Sequence, residues 1–339
     1  MTGAQSGLHT AKHASHALFS LILLPQEYIG EDSNRMSLAY FSLGILSLSG
    51  ALSEPSPSAR LPERRRTEYL AWIYAQQSSS GGFRGAPGSD ESHLAMTYTA
   101  LLSLAMLGDT SLSHVDRVGA VAFVKACQGR DGSFAPFPRS NERDVRFSYC
   151  ACAIATLLDD WSCIDRDSLV HYLLRCRGFD GAFGQVPGAE SQGGTTYCCL
   201  ASLAMADSLH KIDDPASLIR WSVSRQVEPD EEQREALAER GQTDRMAGFE
   251  GRPGKPPDAC YSFWQTASLQ ILGEDVGDVR ADTAWLLACQ DERRGGIARS
   301  PGDYSGERGT ALCAQGVTRE ARQISTIRIS AWQRLPCTE

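Results

Sequence analysis

The chain has 339 residues, 42% hydrophobic and 22% charged, which suits one large soluble domain or two ordinary ones and leaves room for a sizeable core. Its formal charge of −8 argues against a nucleic-acid binder, although a local basic pocket can still hold a phosphate. Eleven cysteines lack the spacing of a disulfide framework, with Cys150/Cys152 and Cys198/Cys199 crowded into apolar runs, so they read as reduced thiols of a cytoplasmic protein.

Near the start of the chain, His9, His13 and His16 have the spacing of one helix face. That pattern can suit a metal, but an ordinary surface helix is the reading adopted. "ALFSLILL" (Ala17–Leu24) is too short to cross a bilayer and no convincing cleavage site follows it, so neither an integral membrane protein nor a targeting segment is expected.

Beyond it a pattern recurs. A helix-like segment ending in Gln, Cys or Arg runs into a glycine-bearing turn and then an aromatic or aliphatic residue: "AQQSSSGGF", "ACQGRDGSF", "RCRGFDGAF", "DRMAGFEG" and "ACQDERRGGI". With Gly82, Gly132, Gly181, Gly248 and Gly296 as markers, the steps are 50, 49, 67 and 48 residues. The long step holds a charged insertion, "VEPDEEQREALAERGQTDR" (Val227–Arg245), expected as a solvated or disordered loop.

After each turn comes a second helical pattern rich in small and apolar residues, as in "HLAMTYTALLSLAML", "FSYCACAIATLL", "TTYCCLASLAMA" and "YSFWQTASLQIL". Repeated helix pairs predict an all-α fold, an α/α toroid with its loops gathered on one face. The toroid is assigned to residues 1–301. From residue 302 to 339 the apolar periodicity fades, so the last repeat is expected to be incomplete and the tail divergent.

The densest chemistry lies in "GRPGKPPDACYSFW" (Gly251–Trp264). Asp258 and Cys260, two apart where a loop enters a helix, offer an oxygen and a sulfur to one zinc ion, which would make a thiolate available at neutral pH. Arg252 and Lys255 suit a phosphate group, and Tyr261 can donate to one of its oxygens. Taken alone, an Asp-x-Cys is more often an N-cap followed by a buried cysteine.

These segments, together with "SHLAMTYTALLSLAMLGD", "DVRFSYCACAIATLLDDWS" and "GAESQGGTTYC", resemble the beta subunits of protein prenyltransferases over about residues 12 to 301, most closely those of the type I geranylgeranyl kind. The resemblance implies an α/α barrel paired with a helical alpha subunit as a heterodimer. It implies one zinc ion per beta subunit, and transfer of geranylgeranyl from geranylgeranyl diphosphate to the cysteine of C-terminal CaaX sequences, small GTPases among them. Residue by residue, Asp258 and Cys260 would be zinc ligands, and with Tyr261 the catalytic group. Arg252, Lys255 and Tyr261 would bind diphosphate.

By the same resemblance His93, Glu142 and Arg146 would hold the peptide carboxylate, Ala95 and Phe147 would line the pocket for its last side chain, and Ser37 and Phe41 would floor the isoprenoid funnel. Arg299 falls where farnesyl relatives carry a magnesium-binding acid, so magnesium would not be required. Each position also has a plain structural reading: His93 as a satisfied histidine near a helix start, Arg146 paired with Asp144, Ser37 and Phe41 as helix packing.

The chain departs from the family twice. Gln192 stands where the family has a diphosphate-binding histidine; it can donate but carries no charge, so weaker leaving-group stabilisation is expected. The third zinc ligand, a histidine, aligns with Gly309, and no histidine follows His210; Cys313 is a remote substitute. A changed reading frame, an unspliced intron or a divergent terminus would each give such a tail, a gene-model or splicing artefact being preferred. The alternative function is an impaired or truncated beta-like subunit that binds the alpha subunit or isoprenoid without turnover.

Overall fold

The computed structural model describes residues 7–24, 26–52, 61–89, 91–242, 245–275 and 277–303. Its helices alternate between two layers. The outer layer holds α1 (Thr10–Ile22), α3 (Glu63–Tyr74), α5 (Arg117–Cys127), α7 (Arg166–Arg175), α9 (Pro215–Val223) and α12 (Val279–Ala288). The inner layer holds α2 (Arg35–Leu48), α4 (Leu94–Met106), α6 (Val145–Leu157), α8 (Gly193–Met205) and α11 (Ala259–Ile271). Inner neighbours pack in chain order, α2 on α4, α4 on α6, α6 on α8 and α8 on α11. This is the all-α toroid of helix pairs that the repeat predicts.

The inner helices are apolar over most of their circumference because they touch neighbours on several sides. In α6 the buried set includes Val145, Phe147, Cys150 and the whole run Ala151–Ala155, and these small side chains let adjacent backbones approach. The helices start sharply. His93, Asp144, Gln192 and Asp258, each an N-cap of an inner helix, accept a first-turn backbone N–H with their own side chain, a contact worth about 1 kcal/mol at a good cap.

Adjacent outer helices are stapled by the last residues of the repeat. Gln77 exchanges two hydrogen bonds with the backbone of Asp116 at the start of α5 (3.0 and 2.9 Å), and Gln128 does the same with Asp165 at α7 (3.0 and 2.8 Å). Arg177 donates to the carbonyl of Asp214 before α9, and Gln226 exchanges two bonds of 2.8 Å with Asp278 before α12. Gln290 then reaches back to the other end of the chain, accepting from the backbone N–H of His9 (2.9 Å). Among the described residues, six outer helices therefore close into a ring while five inner helices line it. Residues after Asp303, nearly all of the tail expected to diverge, lie outside the described residues.

Two expectations are corrected. His13 is not a surface residue: it is 4% exposed, its Nε2 hydrogen-bonds Gln290 Oε1 (2.9 Å), and its Nδ1 accepts from Gly296 N–H (2.9 Å). It completes the closing staple. The charged insertion is not a loop throughout, since it forms α10 (Glu231–Glu239), started by a reciprocal capping box of Asp230 and Gln233. Gln233 and Leu237, one turn apart, are buried. Leu237 joins Met246, Trp285 and Ile297 in a small apolar cluster, so the charged face is solvated while the opposite face docks.

Candidate active site

The inner helices run parallel and in register. Tyr98, Tyr149, Tyr197 and Phe263 each lie five residues after an N-cap, and their rings meet in sequence at centroid distances of 5.5, 5.6 and 5.4 Å. These four N-termini therefore share one rim, where their aligned dipoles favour anions.

Each turn leading to that rim contains the same small element. Ser89, Ser140, Ala189, Lys255 and Asp303 donate their backbone N–H to the carbonyl three residues earlier, of Ala86, Phe137, Val186, Arg252 and Ser300. Counting helix pairs from α1 and α2, the fourth unit holds α7 and α8 and the fifth α9 and α11; in the fifth the element is Arg252-Pro253-Gly254-Lys255, with Gly254 at φ +75°, as a type II turn requires. It sets two exposed cations at adjacent ends of one tight turn.

The turn is fastened to the ring. Gly251 accepts from Gly193 N–H at the start of α8 (2.8 Å), Asp258 N–H donates to Phe249 (3.0 Å), and Gln233 of α10 donates to Pro257 (3.0 Å). A short ribbon pairs β1 (Gln226–Val227) with β2 (Gly248–Phe249). A side chain at Gly251 would displace Tyr261, because a Cβ there would come within 2.2 Å of the ring's Cζ.

Tyr261 lies on the first turn of α11 against Gln192, whose Nε2 donates to the phenol oxygen (2.7 Å) while its Oε1 accepts from Thr195 N–H. Burial pushes the Tyr261 hydroxyl up to about 12, so it keeps its own proton as a donor. Arg252 pairs with Glu190. Arg299 pairs with Asp303 (3.4 Å) and accepts from Ala259 N–H through its carbonyl, which brings it to the start of α11.

Asp258 accepts from Cys260 N–H (2.9 Å) as an N-cap. Burial raises its carboxyl above the ordinary value, opposed by that hydrogen bond and by the charge of Arg299. Cys260 is the one cysteine among the nine described that is not fully buried. The plain reading of Asp-x-Cys thus holds for the aspartate and fails for the cysteine. The pair offers one oxygen and one sulfur at a helix start, a donor set suited to zinc but short of a complete one. Among the described residues no group of three His, Cys, Asp or Glu side chains could hold a metal, and Gly309 and Cys313 lie outside them.

The other candidates stand on neighbouring N-termini. His93 accepts from Ala95 N–H (3.1 Å), is kept neutral by burial, and meets Phe147 edge-on at 5.7 Å. Arg146 joins Glu142 (3.2 Å) and the buried Asp144 (2.6 Å), which Gln185 also holds. The pairing with Asp144 is therefore real, yet Arg146 remains 53% exposed at the rim. Ser37 lies on α2 with its hydroxyl 3.4 Å from Met96 Sδ, and Phe41 packs on Tyr40 (5.4 Å).

One feature escaped the sequence reading: an aromatic arc from Tyr40 through Tyr98, Tyr149 and Tyr197 to Phe263 and Trp264, one level below the rim. On α4, Ala95, Tyr98 and Leu102 share one half-exposed face, the side turned to the lumen of the ring. Tyrosine five positions after successive caps was the available signal.

Comparisons with known proteins agree with this architecture. The model of the prenyltransferase alpha-alpha toroid domain matches residues 8–318. Geranylgeranyl transferase type-1 subunit beta of Arabidopsis thaliana is 34% identical over 326 residues, covering 86% of this chain and 79% of that one. Its counterpart in Dictyostelium discoideum is 30% identical, covering 84% and 82%.

Among solved structures, Candida albicans protein geranylgeranyltransferase-I complexed with GGPP superposes with a TM-score of 0.72 at 24% identity, over 96% of this chain and 100% of that one. A type II terpene cyclase from Scytonema shares the fold at 0.56 and 13% identity, over 95% and 100%. The ring of helix pairs, the parallel inner layer and these matches lead to one conclusion: the chain belongs to the prenyltransferase beta-subunit family.

Proposed function

We propose that the chain is the beta subunit of a protein geranylgeranyltransferase type I, which works with a prenyltransferase alpha subunit on proteins ending in CaaX. One observation carries this reading: a cationic turn, Arg252 to Lys255, stands at the rim directly above an aromatic-lined lumen. That juxtaposition suits a ligand with an anionic head and a long apolar tail, an isoprenoid diphosphate. The relatives of type 1 at 34% and 30% identity support the choice of donor class.

In the reaction the peptide thiolate sulfur attacks the first carbon of the donor. The S–C bond forms as the C–O bond breaks, and diphosphate leaves with the electron pair. Arg252, Lys255 and Arg299 neutralise the departing charge, and Tyr261, oriented by Gln192, donates to a diphosphate oxygen. Arg299 supplies positive charge where magnesium would otherwise act, so transfer proceeds without it. His93 and Arg146 receive the peptide carboxylate beside Ala95, Phe147 and Glu142. Zinc, when bound through Asp258 and Cys260, would hold the peptide sulfur as thiolate.

Ser37 and Phe41 set the length of the apolar tail that fits, a small side chain leaving room for geranylgeranyl. Ser37→Trp should therefore shift preference toward farnesyl diphosphate by about tenfold. Unchanged preference in a folded, active heterodimer would remove Ser37 from the lumen floor.

A second reading, a subunit that binds without turnover, rests on Gly309 and Gln192. It predicts zinc below one per chain in the heterodimer and little recovery from Gly309→His alone, because the ligand's position depends on the segment that carries it. Stoichiometric zinc with full transfer activity would eliminate this second reading.

A further inference from the structure

The fifth unit contains a buried ion pair. Arg225, at the end of the outer helical segment, and Glu250, just before the cationic turn, are 11% and 6% exposed with 2.8 Å between Nη1 and Oε1. Arg225 also lies over the Trp221 ring (5.1 Å) and donates to the Trp221 carbonyl and to Ser224 Oγ, while its own carbonyl accepts from Glu250 N–H (2.9 Å). The second carboxylate oxygen, Oε2, accepts from Lys255 N–H (3.1 Å). That same N–H closes the turn onto the Arg252 carbonyl (3.3 Å). The fourth unit has Cys176 and Gly184 at the corresponding places, on either side of the bridged pair Arg177 and Phe183 as Arg225 and Glu250 flank Gln226 and Phe249.

We infer that Glu250 is a positioning residue for the donor's diphosphate: held by Arg225, its carboxylate fixes the turn so that the Arg252 and Lys255 side chains converge on one anion. A buried charge pair is costly to desolvate and adds little stability over an apolar pair of similar volume, so burial here fits a geometric role better than a stabilising one. The carboxylate itself does not touch the anion. The inference rests on the reading of Arg252 and Lys255 as diphosphate groups.

The test uses the heterodimer and two double variants, which avoid leaving an unpaired buried charge. Arg225→Met with Glu250→Leu removes the acceptor for Lys255 N–H, whereas Arg225→Met with Glu250→Gln keeps a carbonyl oxygen there. The first should raise KM for geranylgeranyl diphosphate, and weaken competition by inorganic diphosphate, about tenfold; the second should stay within about threefold of wild type. KM for the CaaX peptide should not move in either. Equal donor KM in the two variants, raised or not, would overturn the positioning role, since both lose the ion pair alike. If inorganic diphosphate failed to compete even in the wild-type heterodimer, the diphosphate reading itself would fall, and this inference with it.

Discussion

The fourth and fifth units make the same turn from different residues. In both, the N-cap of the inner helix donates its N–H to a buried phenylalanine carbonyl, Gln192 to Phe183 and Asp258 to Phe249. In both, a Pro-Gly turn follows that phenylalanine, with Gly188 at φ +80° and Gly254 at +75°. The ends of the fourth turn are Val186 and Ala189, and Gly184 packs against the latter's backbone. The fifth turn ends in Arg252 and Lys255, has Glu250 in place of that glycine, and is braced by α10. The repeat builds the scaffold, and one unit's departures from it gather the charges that a substrate would meet.

The largest effect should come from breaking the difference on one side only. Arg225→Cys, which introduces the fourth unit's residue, leaves Glu250 buried without its partner and should cost about 3–5 kcal/mol in urea unfolding. Adding Glu250→Ala removes the stranded charge and should recover most of that loss. A double variant no more stable than the single one would show that the ion pair is not what distinguishes the two turns.

The brace comes next. Leu237→Ala should destabilise by about 2 kcal/mol through loss of its apolar contacts. Gln233→Ala should cost about 1 kcal/mol, through loss of the capping box and of the buried bond to Pro257, and should speed amide exchange from Lys255 to Tyr261. No change in exchange there would make α10 a bystander.

Much of this contrast was legible in the sequence. The spacing of the turns predicted the ring, and the dense run from Gly251 to Trp264 marked the unit with unusual chemistry. The insertion was misjudged because its composition is that of a solvated loop, although Gln233 and Leu237 at i, i+4 behind an Asp-x-x-Gln box carried the helical signal. Other features had no local signature. Arg225 and Glu250 meet across that insertion, and His13 finds its partners at Gln290 and Gly296, at the opposite end of the chain. Such pairings depend on ring closure, which periodicity implies but does not put in register.

The smallest effect concerns that closure. Four staples use Gln or Arg on a neighbouring backbone, whereas the fifth adds a titratable ring. Burial lowers the affinity of His13 for a proton, with His9 and His16 acting in the same sense and the Gln290 hydrogen bond opposing. The unfolded chain, with a histidine value of about 6.5, therefore binds the proton more tightly. The stability owed to neutral His13 is fully present above about pH 6.5 and declines as pH falls below it. The melting temperature should drop more between pH 7.5 and 5 in the wild type than in His13→Gln. Equal drops would remove His13 from the closure.

The most direct test of the central claim is equilibrium binding of geranylgeranyl diphosphate and of uncharged geranylgeraniol to the heterodimer, with and without Arg252→Ala and Lys255→Ala. The account predicts that the diphosphate ester binds far more tightly than the alcohol, and that the two substitutions together weaken the ester by at least about tenfold while leaving the alcohol unchanged. Equal affinity for ester and alcohol, or an ester affinity indifferent to both substitutions, would contradict it.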